Sequence, residues 1–290
     1  MTALTSPITR LTRFTRRPAR RPWLDHLVLA VIGLLVLAAI FGPLLAPHDP
    51  YRSDPSLRLL GPSSQFWLGT DEEGRDVLSR LLVGARPTLL SALVVVLVST
   101  ALGLLVASVA ALGGRWADEI LMRTCDILLS LPGLMLALAV ATALGSGLTG
   151  AIIALVVAMF PATARLARGT ILRTLTTGYV EAAKVMGTSR VTLMLRHVLP
   201  NSLDEVLINA TLQIGGVTLI LSGLSFIGVG AQPPSAEWGA MASTAARYVT
   251  VNWPAAILPG LLITISVVAF GLLGDMLQVR RDPTLRKGLR

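Results

Sequence analysis

The run from Thr88 to Gly113 reads TLLSALVVVLVSTALGLLVASVAALG and holds no Asp, Glu, Lys, Arg or His. About 20 consecutive apolar residues form a helix long enough to cross the roughly 30 Å hydrocarbon layer of a bilayer. This run meets that requirement with residues to spare. Working outward from it, five further apolar segments appear: Leu27 to Ala46, Ile127 to Leu144, Ala151 to Ala164, Val206 to Ala231, and Ala255 to Leu273. The fourth span in chain order, Ala151 to Ala164, is short as charge-free sequence. It extends through Leu166 if Arg165 and Arg168 carry their charges along their stems to the interface.

Composition agrees. Of 290 residues, 53% are hydrophobic and 14% charged, and the mean hydropathy is +0.71. A soluble domain carries roughly 25% charged residues. Disorder is excluded, because a disordered chain is polar and highly charged. A disulfide-stapled module is excluded by the single cysteine, Cys125. The expected fold is all-α: a polytopic membrane protein of six transmembrane helices. Its parts are a basic tail (1–26), a first helix (27–46), an outer segment (47–87), a five-helix core (88–276) and a second basic tail (277–290).

Net charge is +9. The basic residues form no patch interleaved with aromatics, so nucleic acid is not an expected partner. They fill the gaps between apolar runs and report orientation. Nineteen lie on one side: Arg10, Arg13, Arg16, Arg17, Arg20 and Arg21 before the first span; Arg115 and Arg123; Arg165, Arg168, Arg173, Lys184, Arg190 and Arg196; and Arg280, Arg281, Arg286, Lys287 and Arg290. Six lie on the other: Arg52, Arg58, Arg75, Arg80, Arg86 and Arg247. The asymmetry places both termini in the cytoplasm and the lipid bilayer of the plasma (inner) membrane around the spans. The Arg-rich start also has the look of a signal peptide. Its apolar run exceeds the 7–15 residues of such a segment, and Pro47 follows Ala46, so it reads as a retained anchor.

Ion-coupled carriers keep ionisable groups at membrane depth. The central parts of these six runs have none; Asp126, Asp204, Glu205 and Asp275 sit at span ends. The three histidines, His26, His48 and His197, are far apart, and neither a HExxH metal motif nor a GxSxG nucleophile elbow occurs. Cys125 reads as a small buried hydrophobe. There is no GxxxxGK[ST] phosphate loop. No metal site, cofactor site or catalytic residue is therefore expected, and the energy for any transport comes from another subunit.

The gap between the fourth and fifth spans is suited to receive that energy. Glu181 to Met186 are nearly all good helix formers. Gly187 can take the left-handed conformation that ends a helix. Thr188 and Ser189 can cap a second helix from Arg190 to about Leu199, and Pro200 is expected to break it from the next span. Val180, Ala183 and Gly187 share one helix face. That small apolar face either fits a groove on a partner or lies on the bilayer surface.

Here the residues resemble a known family. Glu181-Ala182-Ala183, Gly187, then position 197 and Leu199-Pro200 look like the EAA motif of ABC importer permeases. The general pattern prefers isoleucine at His197; Arg196-His197-Val198-Leu199-Pro200-Asn201 resembles the peptide and nickel branch. Further blocks agree: Leu68-Gly69-Thr70-Asp71 with Gly74 to Arg80, Trp116 to Glu119 with Met122-Arg123 and Asp126, Leu224 to Gly228 with Gln232-Pro233-Pro234 and Trp238-Gly239, and Leu273-Gly274-Asp275 with Asp282-Pro283. The similarity is to the second permease of dipeptide and oligopeptide importers and covers roughly residues 25–285. Gly271 and Gln278 depart from it, where the family usually has asparagine and arginine.

The resemblance implies a type I importer permease fold and four partners besides the bilayer. These are a second homologous permease, two cytoplasmic ATPase subunits that bind ATP and Mg, and an extracytoplasmic substrate-binding protein. It makes the loop 170–200 the coupling element, through Tyr179, Val180, Glu181, Ala182, Ala183, Lys184, Gly187, Arg196, His197, Leu199 and Pro200. Small peptides are the default substrate; nickel, metal chelates and glutathione-like peptides use similar permeases. A stand-alone channel or carrier is the competing class. Ser130, Gln213 and Ser222 either line the path or make interhelical hydrogen bonds. On the outer side, Thr70, Asp71 and Glu72 are expected to cap an interfacial helix packed on the bundle. Trp238, Tyr248 and Trp253 are expected to be interfacial anchors.

Overall fold

A computed structural model describes residues 22–281. The basic tail positions Arg10 to Arg21, and Asp282, Pro283, Arg286, Lys287 and Arg290, lie outside the described residues. Among the described residues ten α-helices follow in order: α1 (Pro22–Leu45), α2 (Val77–Leu112), α3 (Gly114–Leu129), α4 (Gly133–Leu144), α5 (Leu148–Leu175), α6 (Gly178–Val185), α7 (Arg190–Leu193), α8 (Leu199–Phe226), α9 (Trp238–Ala245) and α10 (Trp253–Arg281). Among the described residues five helical stretches are long and apolar enough to cross a membrane, and the α3–α4 pair makes a sixth if it counts as one broken span.

The ends of the spans differ from the sequence expectation in ways that proline explains. Helix α2 does not begin at Thr88. Its cap is Asp76, whose carboxylate accepts the Ser79 N–H at 2.9 Å, and the helix runs unbroken past Pro87. Its 36 residues make it about 54 Å long, longer than the roughly 30 Å hydrocarbon layer. The third span is not continuous from Ile127 to Leu144. It turns by 91° between α3 and α4, at Ser130-Leu131-Pro132. Pro132 has no N–H to continue the ladder and drives Leu131 out of the helical region. Alone, the 12 residues of α4 span only about 18 Å.

Pro200 acts oppositely to expectation. It does not break the chain before the fifth span; one helical rod runs from Arg190 to Phe226. Residues Met194–Val198 form a π-turn in which the Leu199 N–H reaches back to Met194 O. That wider register places Pro200 in the first turn of α8, where a missing N–H costs little.

Three apolar clusters follow one another along α2. The outer one gathers Val77, Leu81, Ala85 and Leu89 with Leu35, Trp238 and Ile263. The middle one joins Ala92, Val95 and Val96 to Ala137, Ala151, Leu155 and Leu221. The inner one joins Ala107 to Ile171, Val180, Ala183, Met194 and Val206. Small residues let the backbones close up, as in membrane bundles generally. At Gly103 a Cβ would stand 2.9 Å from the backbone of Ala164 and the side chain of Thr163.

Candidate functional site

The loop between α5 and α8 builds as two short helices at a corner. Helix α6 ends in a Schellman turn: Gly187 has φ +83°, its N–H donates to Lys184 O at 3.0 Å, and the Thr188 N–H donates to Ala183 O at 3.1 Å. Ser189 then caps α7 by accepting the Thr192 N–H. Lys184 Nζ donates to Leu175 O at 3.2 Å, tying α6 back to the end of α5.

The face presented outward is not the one expected. Val180 is fully buried and Ala183 is 3% exposed; both fill the inner apolar cluster against α5 and α8. The apolar stripe of this helix is its anchor, because the bundle end supplies apolar surface to cover it. Tyr179, Glu181, Ala182, Lys184 and Gly187 are exposed, and Val185 and Met186 are 89% and 78% exposed at the tip. In the second arm Arg196 and Pro200 are exposed, His197 and Leu199 half-buried, and Val191 and Leu195 add apolar surface.

Ion pairs brace the helices leading to this loop. Arg168 grips the Asp118 carboxylate with two nitrogens, and Arg165 pairs with Asp126. These contacts hold α3 to α5, so neither arginine needs to reach the interface alone. Arg173 at the end of α5 pairs with Glu205 of α8, and Thr174 and Ser202 share a buried hydrogen bond at 3.2 Å.

At the opposite end of the bundle, residues 47–76 form no interfacial helix; a single 3₁₀ turn, Pro55–Leu57, interrupts an otherwise irregular segment. Asp71 closes a turn rather than capping a helix. It accepts the N–H groups of Glu73 and Arg75 at 2.9 Å and Arg75 Nε at 2.7 Å. Arg80, 4% exposed, faces the same carboxylate at 3.3 Å. It also donates to Pro50 O at 3.0 Å and Ser235 O at 3.2 Å, fastening two loops distant in sequence. Asn252 Nδ2 adds a bond to Thr70 O at 2.7 Å. At the rim, hydrogen bonds from the Ser56 hydroxyl and N–H hold the Asp54 carboxyl below its ordinary pKa.

Trp238 is not an interfacial anchor. It is 1% exposed and donates its indole N–H to Leu81 O at 2.9 Å. Tyr248 and Trp253 stay near the surface, and the Tyr248 hydroxyl accepts Arg58 at 3.5 Å. Beside Trp238 lies a residue that sequence reasoning passed over. Glu237 is fully buried. Its Oε1 accepts the hydroxyls of Thr88 and Ser222 at 3.1 Å each, and its Oε2 accepts the Ala240 N–H at 2.9 Å. One carboxylate therefore joins α2, α8 and the start of α9. The available signal was an acidic residue directly before a short run of small apolar residues, the pattern of a helix cap.

The three expected path residues are not brought together. Ser130 is exposed at the α3–α4 corner and donates to Ile127 O. Ser222 donates to Glu237. Gln213, midway along α8, has a buried Oε1 with no hydrogen bond among the described residues. No group of three or more His, Cys, Asp or Glu able to hold a metal occurs among the described residues.

Residues 99–287 match the family described as the inner membrane component of binding-protein-dependent transport systems. Residues 27–62 match the N-terminal transmembrane domain of oligopeptide transport permease C. The chain is 44% identical over 253 residues to the probable D,D-dipeptide transport system permease protein DdpC of Escherichia coli K12, covering 87% of this chain and 85% of that protein. It is 38% identical over 282 residues to the glutathione transport system permease protein GsiD of Pectobacterium atrosepticum, covering 93% and 94%. In fold it is similar to a chain of the inward-facing methionine ABC transporter MetNI, with a TM-score of 0.55 and 21% identity over 72% of this chain and 96% of that one. A chain of an amino acid ABC transporter gives a TM-score of 0.55 at 16% identity. The length and order of these matches identify the chain as a member of the binding-protein-dependent transport system inner membrane component family: a multi-pass, non-catalytic permease subunit of an ABC importer.

Proposed function

We propose that this chain forms half of the translocation path of an ATP-driven importer of small peptides. Its partner in the membrane is a second, similar permease. Two cytoplasmic ATPase subunits hold ATP and Mg, an extracytoplasmic binding protein delivers the substrate, and both termini face the cytoplasm. The peptide reading draws its support from relatives named for D,D-dipeptide and glutathione transport.

The observation that carries the coupling role is the exposed tip of α6. Val185 and Met186 are apolar yet bare, on a helix otherwise anchored through Val180 and Ala183. A bare apolar tip beside Glu181 and Lys184 fits a cleft on an ATPase subunit. ATP-driven movement of that cleft would then rock α5 and α8 through their junction with α6. Replacing Met186 with Glu tests this without touching the core. The variant is expected to insert normally and to lose most peptide uptake and ATPase co-purification. Gly187→Pro, which removes the N–H and forbids φ +83°, is expected to do the same. Normal uptake by both would remove the coupling role from α6.

A further inference from the structure

A cavity of about 660 Å³ opens near the outer end of the bundle. Its walls are mostly apolar, with Pro43 from α1, Val83, Pro87 and Leu90 from α2, and Leu148 from α5. One cation, Arg86, reaches it, together with the hydroxyl-bearing Tyr51 and Ser91. The size is that of a small-molecule site.

Arg86 differs from the five arginines that brace the bundle. Arg75, Arg80, Arg165, Arg168 and Arg173 all face carboxylates. Arg86 is exposed and pairs with no carboxylate among the described residues. It is also deep. Gly42 lies directly against the Leu82 backbone, three residues from the end of α1. Arg86 is one further turn inward, about 10 Å below the outer end of α1. An unpaired guanidinium at that depth is costly unless water or an anion reaches it. The planar fork of arginine matches a carboxylate in two-point contact.

We propose that Arg86 binds the C-terminal carboxylate of a small peptide in this cavity, with its apolar side chains against Val83, Leu90 and Leu148. The cavity is an anion subsite within the membrane, separate from recognition by the binding protein. The proposal rests on the peptide reading above.

The test uses the whole transporter complex in nanodiscs without binding protein. Equilibrium dialysis measures radiolabelled trialanine as free acid and as C-terminal amide. The free acid is expected to bind roughly tenfold more tightly than the amide, the scale of losing one charge-assisted hydrogen bond. Arg86→Gln is expected to lower free-acid affinity roughly tenfold and leave the amide unchanged, with Arg86→Lys in between. Equal binding of acid and amide to wild type, or no binding at all, would overturn the proposal. So would an equal loss of both in Arg86→Gln. Unchanged peptide binding with loss of co-purifying phosphatidylglycerol would assign the cation to a lipid phosphate instead. Loss of the second permease from Arg86→Gln complexes would assign it to assembly. Trialanine uptake by cells carrying the wild-type complex separates the failures: uptake without acid–amide discrimination sinks only the subsite, and absent uptake sinks the peptide reading.

Discussion

Glu237 accepts three hydrogen bonds in a fully buried position, from two membrane-spanning helices and from its own helix start. Thr88 serves it doubly, because the Thr88 hydroxyl also accepts the Trp238 N–H at 3.1 Å. Removing the carboxylate leaves two hydroxyls and one N–H without an acceptor. Glu237→Ala is expected to cost about 1–3 kcal/mol, read as a lower thermal unfolding midpoint of the detergent-solubilised chain. Glu237→Gln keeps one acceptor oxygen and should fall between; a wild-type midpoint for Glu237→Ala would deny the junction its structural role. Part of this was legible in sequence. A Glu before Trp238-Gly239 reads as a cap. That two hydroxyls from Thr88 and Ser222 meet it does not, because 149 and 15 residues of chain separate them. Trp238 was misread for the same reason. An aromatic in an outer loop fits an interfacial belt until the folded loop buries it against α2.

The apolar runs made the existence of the long elements legible, and their ends were not. Pro87, Pro132 and Pro200 look alike in sequence. The first is absorbed in α2, the second makes a 91° corner, and the third sits harmlessly behind a π-turn. Backbone register, which no local pattern records, separates the three outcomes. The brace between α3 and α5 was hidden in the same way. Arg165 and Arg168 read as snorkelling cations, yet they find Asp126 and Asp118 across the helix pair. This brace links the bent span to the helix that leads into α6. Arg168→Asp should therefore lower uptake severalfold and loosen α3, read as faster hydrogen exchange across 114–129. Adding Asp118→Arg should restore much of both, as a charge swap does when the pair itself matters. No recovery in the double variant would reduce the brace to a bystander. Sequence also found the corner of α6 and α7 correctly through Gly187, but chose the wrong outward face. Small residues lie on both sides of α6, and only the bundle end decides that Val180 and Ala183 point in.

Taken whole, the molecule is held differently at its two ends. The loops 47–76 and 232–252 are fastened to α2 by buried Arg80, Asp71 and Trp238, and to each other by Asn252. The opposite end is held by the apolar cluster around Val180 and Ala183, the buried Thr174–Ser202 hydrogen bond and surface ion pairs. In the proposed role the α6 end is the one that meets the ATPases, through a surface rather than a buried site. The central claim is thus one of company, and it is tested by isolating tagged chain from its native membrane in mild detergent and identifying what accompanies it by mass spectrometry. A second permease of similar span number and one or two ATPases with phosphate-loop motifs are the predicted result, with the ATPases lost from the Met186→Glu variant. Recovery of the chain alone, even after crosslinking, would contradict the account.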